Sequence, residues 1–174
     1  MSKGVLWVDK YRPATLDKLD HHADVTEQLK RLATAGDFPH LIVFGPPGAG
    51  KKTRINAVLR EIFGAGVEKL KIDHKVFETP SGKKMDLNVI SSNYHIEMNP
   101  SDVGNQDRVV VQEVIKEIAQ TQQLDLGSPR SFKVVVIHEA GQLTRDAQAG
   151  LRRTMEKYMY VVCLAQFHHQ RLLV

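Results

Sequence analysis

The stretch FGPPGAGKKT, residues 44–53, constrains this chain more than any other. Gly45, Gly48 and Gly50 let the backbone turn tightly, so that successive N–H groups converge on one point. Lys51 follows with a positive charge suited to the β and γ phosphates of a nucleotide. Such a loop grips phosphate only between a strand and a helix, because the helix N-terminus supplies further N–H groups and a favourable dipole. Both flanks fit. HLIVF, 40–44, reads as a short apolar strand, and Ile55, Val58, Leu59 and Ile62 share one helical face. Gly45, Pro46, Pro47, Gly48, Ala49, Gly50, Lys51, Lys52 and Thr53 are therefore the expected nucleotide-binding residues.

Further elements alternate in type. Val25, Leu29 and Leu32 mark a helical face that Gly36 ends. EKLKI, 68–72, alternates as a strand does, and Thr79-Pro80-Ser81-Gly82 marks a hairpin turn. YHIEM, 94–98, is a short strand running into NPSD, where Ser101 or Asp102 is placed to cap a helix. Val111, Val114, Ile115 and Ile118 form that helix's buried face. FKVVVI, 132–137, is a buried strand, and Ala147, Leu151, Met155 and Tyr158 mark another helix. Strands alternating with helices imply an α/β fold: a parallel sheet flanked by helices on both faces.

Phosphate binding and hydrolysis separate at Lys52. Magnesium takes oxygen ligands, and a hydroxyl normally follows the loop lysine. An ammonium cannot coordinate a cation, and Thr53, one residue on, points about 100° away. The second metal-holding group should be an Asp at the end of VVVI, where the chain has His138. Glu139 follows, in the position of a water-activating base. The expected site holds ATP or ADP without magnesium, with Lys52 replacing part of the metal's charge, and turns it over poorly. Cys163, His168 and His169 are too few and too poorly spaced to make a metal site.

Composition sets outer bounds. The 174 residues are about one domain long, 42% hydrophobic and 25% charged. No apolar run reaches the roughly 18 residues of a membrane helix, so no membrane partner is expected. A single cysteine excludes an internal disulfide. The net charge of +4 is weak evidence for an anionic partner.

Four stretches together resemble the small subunits of replication factor C, the eukaryotic AAA+ clamp loader. They are WVDKYRP (7–13), FPHLIVFGPPGAGKKT (38–53), NYHIEMNPSD (93–102) and DAQAGLRRTMEKY (146–158). GKKT and NPSD resemble the branch numbered three in animals and five in budding yeast, known for a degenerate ATP site. The resemblance covers about residues 5–159 and implies an AAA+ ATP-binding domain. It implies a pentamer with sister subunits that uses ATP to load the sliding clamp PCNA onto primer–template DNA in the nucleus, in replication and repair. It places Val8, Tyr11, Arg12 and Pro13 near the adenine, Arg108 on the DNA channel, and Arg152 and Arg153 at a subunit interface. Trp7 would be a packing anchor.

After Tyr158 the resemblance ends. The position of the family's nucleotide-sensing Asn falls near His169, and no Ser-Arg-Cys motif follows. Residues 160–174 read as a divergent tail, with YVVCLAQF still able to form a strand, and the lid and collar are expected to be missing. Two rival readings are a magnesium-dependent P-loop enzyme such as a small-molecule kinase, which Lys52 and His138 oppose, and a fragment that binds clamp or sister subunits without loading.

Overall fold

The computed structural model describes residues 6–36, 38–78, 84–100, 104, 106–121, 132–158 and 161–167. Its frame is a six-stranded sheet in the order β1-β6-β5-β4-β3-β2. The strands are β1 (Leu41–Phe44), β2 (Lys71–Glu78), β3 (Lys84–Ser91), β4 (His95–Met98), β5 (Lys133–Ile137) and β6 (Val161–Phe167). The helices are α1 (Trp7–Lys10), α2 (Ala23–Ala35), α3 (Lys51–Phe63), α4 (Asp107–Thr121) and α5 (Arg145–Lys157). No described helix is long and apolar enough to cross a membrane.

β5 organises both cores. Successive side chains of a strand face opposite ways. Val134 and Val136 enter one core with Ile55, Leu59 and Phe63 of α3 and Ala33 of α2. Val135 and Ile137 enter the other with Val111, Ile115 and Ile118 of α4 and Leu151 of α5. All four β5 side chains are fully buried, so a continuous apolar run here means a strand covered on both faces.

The sheet is mixed rather than parallel throughout. β1, β6, β5 and β4 run parallel, whereas β3 is antiparallel to both β4 and β2. Chain length is the reason: only residues 92–94 join β3 to β4, far too few for the crossover that parallel neighbours need. The expected hairpin is present as β2 and β3, although its turn at 79–82 lies outside the described residues.

Local readings fare unevenly. The stripes on α3, α4 and α5 are buried or packed against the cores as expected. On α2 the buried residues are Thr26 and Ala33, with Leu29 and Leu32 half-buried and Val25 exposed, so the inward face is turned from the apolar stripe. EKLKI is not one strand, because Gly64–Glu68 forms a 3-10 turn and β2 starts at Lys71. Trp7 is 80% exposed, which overturns its reading as a packing anchor: α1 buries no residue. The caps proposed at Ser101 and Asp102 lie outside the described residues.

At the described start of α4 the buried Asp107 does the capping. One carboxylate oxygen accepts from the Arg108 N–H at 2.7 Å and from the Thr144 hydroxyl at 2.9 Å. The other accepts from the Thr144 N–H at 2.6 Å. Thr144 in turn caps α5 by accepting from the Ala147 N–H at 3.2 Å. One carboxylate thus satisfies the starts of two helices that pack together.

Asp107→Ala would leave several buried donors unpaired, so it is expected to cost about 3 kcal/mol in denaturant unfolding. Two glycines should respond oppositely to alanine. A Cβ on Gly66 would come within 2.9 Å of the Tyr94 ring, which stacks on Phe63 at 5.1 Å between centroids. Gly66→Ala should therefore destabilise by about 1–3 kcal/mol. A Cβ on Gly150 would meet the flexible end of Gln112 at 2.7 Å. That amide can swing aside, and the helical propensity gained at Gly150→Ala is about 1 kcal/mol. Paired thermal melts check the contrast.

Candidate nucleotide site and its buried carboxylate

The glycine-rich loop leaves β1 and enters α3 as expected. Gly48 and Gly50 have φ of 78° and 75°, the left-handed region that glycine adopts without strain. A Cβ at either would meet nothing within 4 Å, so the cradle is open on its outer side. The N-terminus of α3 opens onto it at Lys51. The Lys51 side chain is buried and folds back, donating to the carbonyls of Gly45 at 2.8 Å and Pro46 at 2.7 Å. Gly45, Pro46, Ala49 and Lys51 also line a cavity of about 520 Å³ whose wall includes Val25 and Leu29 of α2.

Beneath the start of α3 lies a group that motif reading missed. His95 and Glu97 are two apart on β4 and face the α3 side. Glu97 pairs in register with Val136, and the His138 N–H extends that ladder to the Met98 carbonyl at 2.9 Å. His138 lies two residues beyond Val136, so it faces the same way as Glu97. The His138 Nε2 lies 2.9 Å from one Glu97 oxygen, and the His95 Nε2 lies 3.3 Å from the other. The Lys52 ammonium stands 3.9 Å from the oxygen that His138 contacts. His95 is fixed from behind by Ser92, whose hydroxyl meets Nδ1 at 2.7 Å.

Glu97 is 4% exposed. Burial raises its pKa, but hydrogen bonds from His138 and His95 and the charge of Lys52 outweigh that and hold the carboxyl well below the usual range. The buried group is an ionised carboxylate with basic partners on three sides.

Lys52 and His138 occupy the two positions where the motif would place oxygen ligands, and both approach Glu97. The open loop is of the kind whose backbone N–H groups bind phosphate.

The other expected residues are scattered. Arg12 and Pro13 line a second cavity, of about 300 Å³, with Asn56, Arg60, His95 and Glu97. That cavity's lining includes no residue of the glycine-rich loop. Val8 and Tyr11 are 72% and 70% exposed. Glu139 follows β5 with φ of 51°, at the start of a 3-10 turn. Arg108 begins α4 with its side chain beside Gly150 of α5. Arg152 and Arg153 are exposed on α5.

Comparison with known proteins agrees with this architecture. No protein-family model matches the chain. Replication factor C subunit 3 of Homo sapiens is 60% identical over 154 residues, 88% of this chain and 43% of the relative. Replication factor C subunit 5 of Neurospora crassa is 63% identical over 153 residues, 88% of this chain and 44% of the relative. Subunit 5 of Saccharomyces cerevisiae is 54% identical over 159 residues, again 88% of this chain and 45% of the relative. The chain thus spans less than half the length of these curated relatives. Among solved structures, C. elegans PCH-2 superposes with a TM-score of 0.50 over 88% of this chain and 39% of that one, at 12% identity, a likeness of fold alone. Over 88% of its length the chain is therefore similar to replication factor C subunits 3 and 5.

Proposed function

We propose that this chain is a replication factor C clamp-loader subunit that holds a nucleotide without magnesium and does not hydrolyse it. Its partners are the other subunits of the complex, the sliding clamp PCNA and primer–template DNA, and its place of work is the nucleus. Identity of 54–63% to subunits 3 and 5 of three eukaryotes supports the assembly role. The observation that carries the nucleotide reading is the open glycine cradle with Lys51 at its base.

Charge explains the division between holding and hydrolysing. Phosphoryl transfer relies on a metal to neutralise charge developing between the phosphates. Lys52 brings one positive charge near that place but cannot bridge two phosphate oxygens at fixed geometry. Ground-state binding needs only the charge, whereas turnover needs the geometry. Glu139, the candidate base, then has no polarised phosphate to work on.

The purified chain should bind ATP with affinities in EDTA and in millimolar magnesium that agree within about threefold, measured by titration calorimetry. A loss of about a hundredfold on chelation would overturn the metal-free reading. Lys51→Ala removes charge-assisted hydrogen bonds and should weaken ATP binding by about thirtyfold. Steady-state hydrolysis should stay at background with magnesium present, and magnesium-dependent turnover would restore the kinase-like alternative. Co-expression with the sister subunits tests the assembly role: the chain should co-purify with them and support clamp loading on primed DNA. Capture without loading would favour an interaction fragment.

A further inference from the structure

The Glu97 cluster lies beside the first turn of α3, yet neither holding phosphate nor forming the sheet requires a carboxylate there. Burying an ionised carboxylate is costly unless it is well paired. Glu97 is paired by His95 and His138, which already contact both of its oxygens. Lys52 is the extra partner. Its side chain is 51% exposed and has water available, yet its ammonium leans to 3.9 Å from a carboxylate that is 4% exposed. Lys51 is parked too, on the carbonyls of Gly45 and Pro46. Both cations of the loop are thus engaged by the protein itself.

A polyphosphate in the loop that reached the first turn of α3 would compete with this carboxylate for Lys52. The exchange is feasible because Glu97 keeps both imidazoles when Lys52 leaves; an orphaned buried carboxylate would forbid it. Other polar groups lining the cavity beside Glu97 are Asn56 and Arg60 of α3, Arg12 and Asp9 of the N-terminal segment, and Glu68. Arg12 is paired with Asp9 at 3.0 Å, and Arg60 is paired with Glu68. Lys52 is the cation that stands both against Glu97 and in the first turn of α3, directly after the loop lysine.

We propose that Glu97 is an internal competitor for Lys52 that sets the site's affinity for polyphosphates: it holds the ammonium while the loop is empty and releases it to the ligand. The inference rests on the nucleotide-binding reading above and adds the residue that tunes it. Glu97 acts through Lys52 and is a positioning residue, not a catalytic one. The ligands are anions with adjacent phosphates, whether nucleoside triphosphates or inorganic tripolyphosphate.

The test is a double-mutant cycle by calorimetry in EDTA, with inorganic tripolyphosphate and ATP as probes, on the full chain, Glu97→Gln, Lys52→Thr and the double variant. Releasing Lys52 should tighten tripolyphosphate binding by about tenfold in Glu97→Gln, close to the interaction of two unit charges about 4 Å apart in a water-like dielectric. In the Lys52→Thr background the same change should give less than about threefold, since only direct repulsion remains. A merely structural role predicts weaker binding on losing Glu97, not tighter. No gain in Glu97→Gln, or an equal gain in both backgrounds, would overturn the proposal. Should Glu97→Gln lose its cooperative melt, the Glu97 side-chain carboxyl carbon resonance of the unsubstituted protein decides: it should move as tripolyphosphate saturates, and an unmoved resonance overturns the proposal. Failure of the unsubstituted chain to bind either probe would remove the nucleotide reading and this inference together. Normal binding that ignores Glu97→Gln removes this inference alone.

Discussion

The two-sided burial of β5 is the constraint on which the rest depends. Its valines and isoleucine alternate between an α2–α3 core and an α4–α5 core. A slip of one residue against β4 would exchange the two faces, and each core would lose its shape. The same register decides the chemistry. With Glu97 opposite Val136, His138 meets the carboxylate on the α3 side. A one-residue slip would turn His138 toward the α4–α5 core and leave Glu97 short of a partner. Packing and electrostatics therefore enforce one pairing, an agreement between levels that favours a single native state.

Legibility of the sequence followed the range of each signal. The loop, the α3 and α4 stripes and the β5 run are local patterns with a clear period, and each became the expected element. The mixed sheet was also encoded, in the three residues between β3 and β4, but it shows only once both flanking segments are accepted as strands. The α2 face defeated the pattern because Thr26 is buried: its hydroxyl donates to the His22 carbonyl and accepts from Arg54, so a polar residue occupies an inward position. Trp7 misled for the opposite reason, since a large aromatic is a sound guess for a core anchor until the short helix bearing it buries nothing.

The charge cluster was hidden differently. His95 and Glu97 alternate with Ile96 and Met98, so the strand was visible, and period two put both polar groups on one face. What sequence could not supply was the register bringing His138 to them, or the docking of α3 that sets Lys52 above. Residues from three segments make the cluster, and none of the three carries a motif for it. Its substitutions at Lys52 and His138 were read one by one as losses of metal ligands. In the fold the two residues share one carboxylate, so they behave as a unit.

That unit changes what a degenerate site means physically. A divalent ion brings two charges and fixed directions, and it leaves with its water when chelated. A lysine brings one charge on a flexible stem, permanently attached, so the positive charge is always present and its counter-ion has to be built in. Glu97 fills that need from a buried position beside a half-exposed lysine. The imidazoles keep the carboxylate satisfied on either side of an exchange. On the proposed reading, a site arranged this way would favour residence of a nucleotide over its turnover.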